Sequence, residues 1–495
     1  MSIVPQGLSS PPRTADGLAP RQTKIVATVG PASSTPEIVR ALVRAGMDVA
    51  RLNFSHGTHD DHRRRFELVR EASIAEDRPV AILQDLQGPK IRLGTLDGKV
   101  RLEPGATVLV SSNDDFVGTR ERLPTTYHRL ADDVRPGEPL LLADGALELE
   151  VLAVLGRDLE CRVKVGGVVS SKKGLNMPAS KLGVSSFVEK DLEDLTFGLE
   201  LGVDYVALSF VRHAREVLAL RHEMERRGRV VPIVAKIEKP EAVENLGGIV
   251  EVSDALMVAR GDLGVELPAE RVPAIQRRVI REARARSKPC IVATQMLVSM
   301  TKHSRPTHAE VSDVANAVFE GADAVMLSEE TASGEFPVEA VEMMAAIAQT
   351  AEAEVAPDNA VALIPELANS HPGAISRAAA QIALDLRAAS IIAFTHEGLG
   401  PRLIGHFRPP CPILGFSIGA ECARQMSLYW GVRPLEIPEP RNLEELVEAV
   451  ERAAISRGLL RVGDTVVITS KLPFRVENLT NVLKLHSVGE RDPPS

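Results

Sequence analysis

Residues 231–264 read VPIVAKIEKPEAVENLGGIVEVSDALMVARGDLG. Two apolar runs frame this stretch, Val231–Lys236 and Asp254–Ala259, and each leads straight into charged residues: Lys236 with Glu238, Arg260 with Asp262. The runs are nearly continuous rather than alternating, the pattern of strands covered on both faces in a parallel sheet. Six further runs share the design: Thr23–Val29, Met47–Asn53, Pro79–Asp85, Asp204–Phe210, Pro289–Thr294 and Asp323–Ser328. Helical stretches separate most of them. After the first strand, Ser34 stands three residues before Glu37 as a capping box, with Pro36 in the first turn. Ile38, Val39, Leu42 and Val43 then repeat at helical spacing, and Gly46 is the stop. Eight strand–helix units, with a core of about 240 residues, predict a closed (β/α)8 barrel, an α/β fold, rather than an open sheet.

Between the third and fourth runs the texture changes. From Gly88 to Gly183, short alternating segments (Thr107–Val110, Leu147–Val154, Leu159–Val165) are broken by Pro104-Gly105, Pro136-Gly137 and Gly166-Gly167. That spacing predicts a small all-β domain inserted in a barrel loop, where surface position makes insertion tolerable. After the linker Ala356-Pro-Asp-Asn359, strand-like Ala389–Thr395, Cys411–Ser417, Val432–Ile437 and Asp464–Ser470 alternate with helical runs such as Asn442–Arg457. This predicts an open, doubly wound α/β unit. The expected plan is a disordered leader over 1–20, a barrel from 21–87 and 184–355, a lid over 88–183 and a C-terminal domain over 356–495.

Composition excludes several classes of function. Lys plus Arg number 58 against 67 Asp plus Glu among 495 residues, a net charge of −9, with one Trp, three Tyr and twelve Phe. Nucleic-acid binding needs a positive stripe or stacking platforms, and the sequence has neither. No apolar run approaches the ~18 residues that cross a bilayer, and the Pro/Ser/Gly-rich start lacks the apolar core of a signal peptide. Cys161, Cys290, Cys411 and Cys422 form no Cys-x-x-Cys pair, which argues against a zinc site or disulfide scaffold and for a reduced cytoplasmic setting.

A barrel of this kind carries its site at the carboxyl ends of its strands. Those ends hold Arg51, Asn53 and Ser55, then Asp85, Ser209, Lys236 and Glu238, Arg260 and Asp262, Thr294, and Ser328 with Glu330. Any one of these reads equally as a cap or a solvated turn; the whole ring is harder to obtain by accident. Glu238 and Asp262, carboxylates on neighbouring strands, suit an octahedral Mg²⁺ that keeps waters and takes substrate oxygens. Arg51 and Lys236 suit phosphate or a developing oxyanion. Thr294 and Ser328 offer hydroxyls for a hydrogen bond or proton relay. The strand-to-glycine turn at Ala259–Gly264 lets backbone N–H groups approach an anion, though glycines after strands also mark ordinary turns. Ser171-Lys172-Lys173-Gly174 either sets a cation over the barrel mouth or is an exposed basic turn. His56 follows Asn53-Phe54-Ser55, whereas His59, His62, His303 and His308 read as surface residues, and no histidine pair is placed as metal ligands.

Taken together, TKIVATVGPAS (23–33), GMDVARLNFSHG (46–57), SKKGLNMP (171–178), AKIE (235–238), MVARGDLG (257–264), ATQM (293–296) and SDVANA (312–317) resemble the pyruvate kinase family. They fall in the family's order from about residue 21 to 355, and weaker similarity continues to the end. The resemblance implies a barrel, a lid after the third strand, a C-terminal regulatory domain and a homotetramer. It also implies a reaction: phosphoenolpyruvate and ADP give pyruvate and ATP. Glu238 and Asp262 would hold Mg²⁺ (or Mn²⁺), and Lys236 and Arg51 would stabilise the phosphoryl group in flight. Thr294 with backbone N–H groups near Gly261 and Asp262 would hold the substrate carboxylate, with Ala259, Arg260 and Ser209 also at the substrate. Thr294 and Ser328, with water, would deliver the proton. Pro31, Asn53, His56, Arg92 and Lys173 would face the nucleotide, and the lid would close over it to exclude water.

The departures from the family pattern are informative. Many members have Asp-Thr-Lys-Gly-Pro-Glu after the third strand, and need K⁺ beside the positions of Asn53, Ser55 and Asp85. Here the string is Asp85-Leu86-Gln87-Gly88-Pro89-Lys90. Lys90, with Leu86, Gln87 and Leu93, is similar to the potassium-independent subset, so K⁺ is expected not to be required. Glu329 stands where Gly is usual and His308 where Arg is common. Thr395–Arg402 sits where many members bind a sugar-phosphate or nucleotide effector, with Thr395, Gly398 and Arg402 as candidate contacts, but it lacks a Ser/Thr-rich loop. Lys471 and Arg475 either add charge there or are plain surface residues. Two alternatives carry different chemistry. A regulatory protein on a decayed scaffold should have lost Lys236, Glu238, Asp262 or Thr294, and all four are present. A Mg²⁺-dependent phosphoenolpyruvate or pyruvate lyase leaves Lys173 and the Asn53/Ser55/Asp85/Lys90 pocket unexplained.

Overall fold

The computed structural model describes residues 20–143, 145–178, 180, 187–355, 370–474 and 480–490. The leader through residue 19, the linker at 356–359, the lid's return at 183 and Arg475 lie outside them. Three strands come first: β1 (Lys24–Thr28), β2 (Val49–Asn53) and β3 (Ala81–Asp85). The insertion adds β4 (Val100–Leu102), β5 (Thr107–Ser111), β6 (Arg122–Pro124), β7 (Pro139–Leu142), β8 (Leu147–Leu155), β9 (Asp158–Val165), β10 (Gly167–Val169) and β11 (Leu175–Asn176). Then come β12 (Tyr205–Leu208), β13 (Ile233–Ile237), β14 (Ala255–Ala259), β15 (Cys290–Ala293) and β16 (Ala324–Leu327). Last are β17 (Ser390–Phe394), β18 (Ile413–Ser417), β19 (Val432–Glu436), β20 (Thr465–Ser470) and β21 (Val482–Ser487).

The eight apolar runs supply the eight strands of a closed parallel barrel, ordered β1-β16-β15-β14-β13-β12-β3-β2. The insertion is a six-stranded sheet, β11-β7-β8-β9-β5-β6, with the pair β10-β4. The C-terminal sheet runs β19-β18-β17-β20-β21, parallel except for its last strand, β21, which the apolar runs did not announce. Its order reverses between β17 and β20, the doubly wound plan. The first helix, Pro36–Ala45, corrects a detail. Its N-cap is Thr35, whose hydroxyl accepts from Ile38 N, while Ser34 Oγ donates to Gly30 O at 2.6 Å. Pro36 takes the first helical position, which sets the cap one residue later than the Ser34/Glu37 spacing predicts.

Alternate residues of a strand face opposite sides, and this parity builds the site. Ile25, Ala50, Ile82, Leu208, Ala235 and Val258 pack outward under the helices. Val26, Val49, Leu83, Ala207, Val234 and Met326 pack inward about the axis. Counting two further along each inward series gives Thr28, Arg51, Asp85, Ser209, Lys236 and Ser328, which therefore ring the barrel's mouth. The opposite end is sealed by the C-terminal unit. Lys24 Nζ donates to Val432 O at 2.6 Å, Tyr205 Oη to Gln425 O at 2.7 Å, and Arg424 Nε to Asp204 Oδ1 at 2.8 Å. Among the described residues no helix is long and apolar enough to cross a membrane, and all four cysteines are free thiols.

Candidate active site

At the mouth, five charged groups share a small volume. Arg51 Nε lies 2.7 Å from Asp85 Oδ2, and its Nη1 donates to Thr28 Oγ1 at 3.0 Å. Lys236 Nζ lies 3.3 Å from Asp85 Oδ1 and 2.9 Å from Glu238 Oε1, and donates to Ser209 Oγ at 2.8 Å. Burial pulls the Lys236 ammonium toward neutrality, but Asp85 and Glu238 outweigh it and hold the ammonium protonated well above its ordinary range. Burial likewise opposes charge on Asp85, and Lys236 with Arg51 reverses it, so Asp85 stays ionised. Glu238 is different. Burial pushes its carboxyl up, the nearby Asp262 charge adds to that, and Lys236 offsets only part.

This asymmetry is a test for a divalent metal. Glu238 Oε2 accepts from Phe210 N at 2.8 Å, but Oε1, although within ion-pair reach of Lys236, is buried without a directed hydrogen bond. Asp262 is close enough to raise the proton affinity of Glu238 and to reinforce the charge on Lys236. Two carboxylates this close, one of them buried with its charge only partly offset by Lys236, fit a small dication. Among the described residues no group of three or more His, Cys, Asp or Glu is arranged to hold an ion. Two carboxylates suit Mg²⁺, which completes its shell with water and substrate oxygens.

Beside the carboxylates, β14 and β15 end in a locked turn. Thr294 and Gln295 have φ of 67° and 54°, the left-handed region that L side chains, β-branched ones above all, rarely adopt. Arg260 holds them there: its Nη2 donates to Thr294 O at 2.7 Å and Gln295 O at 3.0 Å, and Nη1 lies 2.7 Å from Asp313 Oδ2. The Arg260 guanidinium is thus spent on the backbone of the next loop. Gly261 N donates to Thr294 Oγ1 at 2.7 Å, so two groups expected at the substrate carboxylate are joined to each other. Ala259 is buried at the start of the helix Arg260–Glu266. Ser328 N donates to Glu330 Oε2 at 2.7 Å, and the buried Ser328 Oγ has no hydrogen-bond partner among the described residues.

On the lid side, Ser55 N donates to Asn53 Oδ1 at 3.1 Å. His56 is held toward its neutral form by partial burial and then by Arg92, Lys90 and Arg51, so these cations converge on one imidazole. Arg92 and Lys173 stand on the lid's stem, where Leu93 N donates to Lys173 O at 2.9 Å. Pro31, itself exposed, opens a 3₁₀ turn just after β1.

His62 corrects the surface reading: it is buried, stacked on Phe54 at 3.9 Å, with Nε2 3.0 Å from His56 O. Burial and Arg65 push its imidazole down to about 4. His59, though exposed, stacks on Phe197 and lies 2.7 Å from Asp194 Oδ1. In the C-terminal sheet, Thr395 and Gly398 close one turn after β17, with Gly398 N donating to Thr395 Oγ1 at 2.9 Å. The turn lies at the point where strand order reverses, the usual ligand crevice of such sheets. The Arg402 charge acts instead on Tyr205, Tyr429 and Lys288, at the junction with the barrel.

Several supporting groups escaped the sequence. Thr28 reads as a strand-end hydroxyl until Arg51 reaches it. Asp313, inside the SDVANA string, shows no role until Arg260 folds onto it. Phe210 contributes a main-chain N–H, which no side-chain pattern reveals; the signal in its backbone, φ 56°, exists only in three dimensions.

Comparison with known proteins closes the description. A family model described as pyruvate kinase, barrel domain, matches residues 20–341, and one described as pyruvate kinase, alpha/beta domain, matches 373–486. A pyruvate kinase of Mycobacterium tuberculosis (strain H37Rv) is 46% identical over 475 residues, covering 95% of this chain and 99% of the relative. One of Corynebacterium efficiens is 45% identical over 471 residues, 95% of this chain and 98% of the relative. The crystal structure of a pyruvate kinase from Cryptosporidium parvum matches with a TM-score of 0.90 at 33% identity, covering 96% of this chain and 98% of that one.

Proposed function

The chain belongs to the pyruvate kinase family, and from that premise we propose the part each side chain plays in moving the phosphoryl group of phosphoenolpyruvate to ADP. The chain is a phosphotransferase whose products are pyruvate and ATP. In the transfer, the bond from phosphorus to the enol oxygen breaks, a bond to the terminal oxygen of ADP forms, and the enolate carbon takes up a proton. Lys236 and Arg51, fixed by Asp85, face the travelling group with two full positive charges, the electrostatic work that dominates phosphoryl transfer. Their mutual repulsion is absorbed by Asp85 between them, so no reorganisation is needed when charge develops.

Glu238 and Asp262 would hold the divalent metal, Mg²⁺ or Mn²⁺, which would supply positive charge to offset that of the phosphates. Thr294 and the turn at Ala259, Arg260, Gly261 and Asp262 orient the substrate carboxylate; Gly261 N and Thr294 Oγ1 exchange their mutual bond for bonds to it. Ser209 fixes the Lys236 ammonium. Ser328, with its unpartnered hydroxyl, and Thr294 pass the proton through water to the enolate. Asn53, His56, Arg92, Lys173 and Pro31 take the nucleotide, with His56 neutral among cations that the phosphates then satisfy. The lid excludes water, so that the phosphoryl group is not lost to hydrolysis.

The observation that carries this reading is the Arg51–Asp85–Lys236–Glu238 chain of ion pairs beside Asp262. We further infer that Lys90, whose charge already reaches His56, supplies the positive charge that K⁺ brings in other members at Asn53, Ser55 and Asp85. Homotetramer assembly, a cytoplasmic setting and a sugar-phosphate or nucleotide effector at the Thr395–Gly398 turn complete the reading. The test is pyruvate and ATP formation from phosphoenolpyruvate, ADP and Mg²⁺ in tetramethylammonium buffer. Full turnover without K⁺ is the expected result. Activation of tenfold or more by KCl removes the Lys90 reading, and no transfer under any salt removes the whole.

A further inference from the structure

We propose that Glu266 is a positioning residue that pins the lid's stem to the two segments carrying Glu238 and Asp262, so that the lid and the carboxylate pair are placed together. The proposal rests on the reading of the site given above. Glu266 ends the helix Arg260–Glu266 and is 5% exposed. Its Oε1 accepts two hydrogen bonds from separate parts of the chain. Asn176 Nδ2 reaches it at 2.8 Å from β11 of the lid, and Lys239 Nζ at 2.6 Å from the loop after β13.

Each arm continues to a working group. Lys239 directly follows Glu238, and its ammonium lies 5.6 Å from the centre of the Phe210 ring. The Phe210 N–H in turn donates to Glu238 Oε2. Asp262 stands one turn back along the Glu266 helix. On the other side, Leu175 N donates to Ile91 O at 3.0 Å and Leu93 N to Lys173 O at 2.9 Å. The two strands of the stem are therefore zipped together, and moving Asn176 moves Arg92 and Lys173 with it. The lid also touches the same helix a second time: a Cβ placed on Gly145 would lie 3.8 Å from both Val265 methyls.

The chemistry favours a pin over an incidental contact. A buried carboxylate needs both a countercharge and hydrogen bonds, since either alone leaves it underpaired. Lys239 supplies the charge from the barrel, but among the described residues the second donor comes from the lid, so the lid's place is where Glu266 is satisfied. A lid already placed gives the nucleotide a formed cleft and spares it part of the ordering entropy. Cutting the lid arm should therefore weaken nucleotide binding while leaving the transfer step of the saturated enzyme alone.

Asn176→Ala cuts that arm and leaves every barrel side chain in place. The KM for ADP should rise about five- to tenfold with kcat within about twofold, and the thermal midpoint should stay within a degree or two of the parent. Glu266→Gln, which keeps an acceptor for both donors, should fall between parent and Glu266→Ala. Lid position is read directly with spin labels at Val168→Cys on the lid and Leu218→Cys on the barrel, both exposed positions, in a Cys422→Ser background. The label-to-label distance distribution should be narrow in the parent, broaden in Asn176→Ala and Glu266→Ala alike, and broaden no further in the double variant. An unchanged distribution in both variants, or a KM for ADP within twofold of the parent in Asn176→Ala, overturns the pin. Broadening in a chain that transfers no phosphoryl group would instead uphold the pin and remove the proposed function, so the two failures are separable.

Discussion

Replacing Lys236 by Met removes one full positive charge from the most crowded part of the site and keeps an unbranched side chain one atom shorter. In the parent, Asp85, Glu238 and Asp262 face Arg51 and Lys236, with Nζ 2.9 Å from Glu238 and 3.3 Å from Asp85. After the change Arg51 still neutralises Asp85, but Glu238 keeps only the Phe210 N–H. Two effects follow, and they can be measured apart. A preorganised donor aimed at developing anionic charge is worth about 10²–10³ in kcat, and an ammonium belongs at the upper end, about 4 kcal/mol. Because that interaction strengthens only as the phosphoryl group separates, KM for phosphoenolpyruvate should change less than about tenfold. Breaking one partner of a buried ion pair costs about 3–5 kcal/mol of stability, and the surviving Asp85–Arg51 pair argues for the lower end. Glu238 and Asp262, left with excess negative charge, should then gain more from Mg²⁺ than in the parent. Pyruvate formation coupled to NADH oxidation gives the kinetics; thermal melts in chelator and in Mg²⁺ give the stability. A kcat within tenfold of the parent would refute the catalytic assignment and leave Lys236 a structural counterion. Equal melting losses with and without Mg²⁺ would refute the placement of the metal at Glu238.

Three shorter tests address other parts of the molecule. Lys90→Glu should create a demand for K⁺, seen as at least tenfold activation by KCl in tetramethylammonium buffer; a variant indifferent to KCl contradicts the replacement of the ion by the ammonium. His62 binds its proton near 4 in the folded chain and near 6.5 when unfolded, so it favours the folded state above pH 6.5 and loses that contribution as pH falls toward 4. The loss is up to about 3 kcal/mol, and the urea midpoint of His62→Gln should fall less steeply across that window than the parent's. Arg424→Ala removes the bond that ties the C-terminal unit to Asp204, and should destabilise the junction by about 1.5–3 kcal/mol. Differential scanning calorimetry should show the C-terminal transition moving to lower temperature, and an unshifted transition would mean that other contacts, among them Lys24 with Val432 and Tyr205 with Gln425, suffice to hold the junction.

Much of this was legible without coordinates, and the particular residues show why. Continuous apolar runs such as Ala255–Ala259 are a local signal, because a strand covered on both faces has nowhere to put a polar side chain. The first polar residues after such a run must sit at the barrel's end, which is how Asp85, Ser209, Lys236 and Ser328 could be picked out one by one. His62 could not be placed that way. Its neighbours Asp61 and Arg63 are polar, and only the return of its helix onto Phe54 buries the ring. Thr35 displaced Ser34 as the cap because Pro36 set the first helical residue, a choice between two hydroxyls that differ by one position. Arg260 looked like a ligand for substrate anions until the loop after β15 offered it carbonyl oxygens.

What the amino-acid order determined by itself was period and punctuation: strands of a given parity, a β-rich insertion, and a charged or hydroxyl residue wherever a strand stops. These depend on neighbours one to four positions apart. Only the closed barrel decided which charges meet, since Asp85 and Lys236 are 151 positions apart and become partners because β3 and β13 flank β12. Proton affinities, the strained turn at Thr294 and the shared oxygen of Glu266 depend on distance and burial, quantities that exist only once the chain has closed on itself.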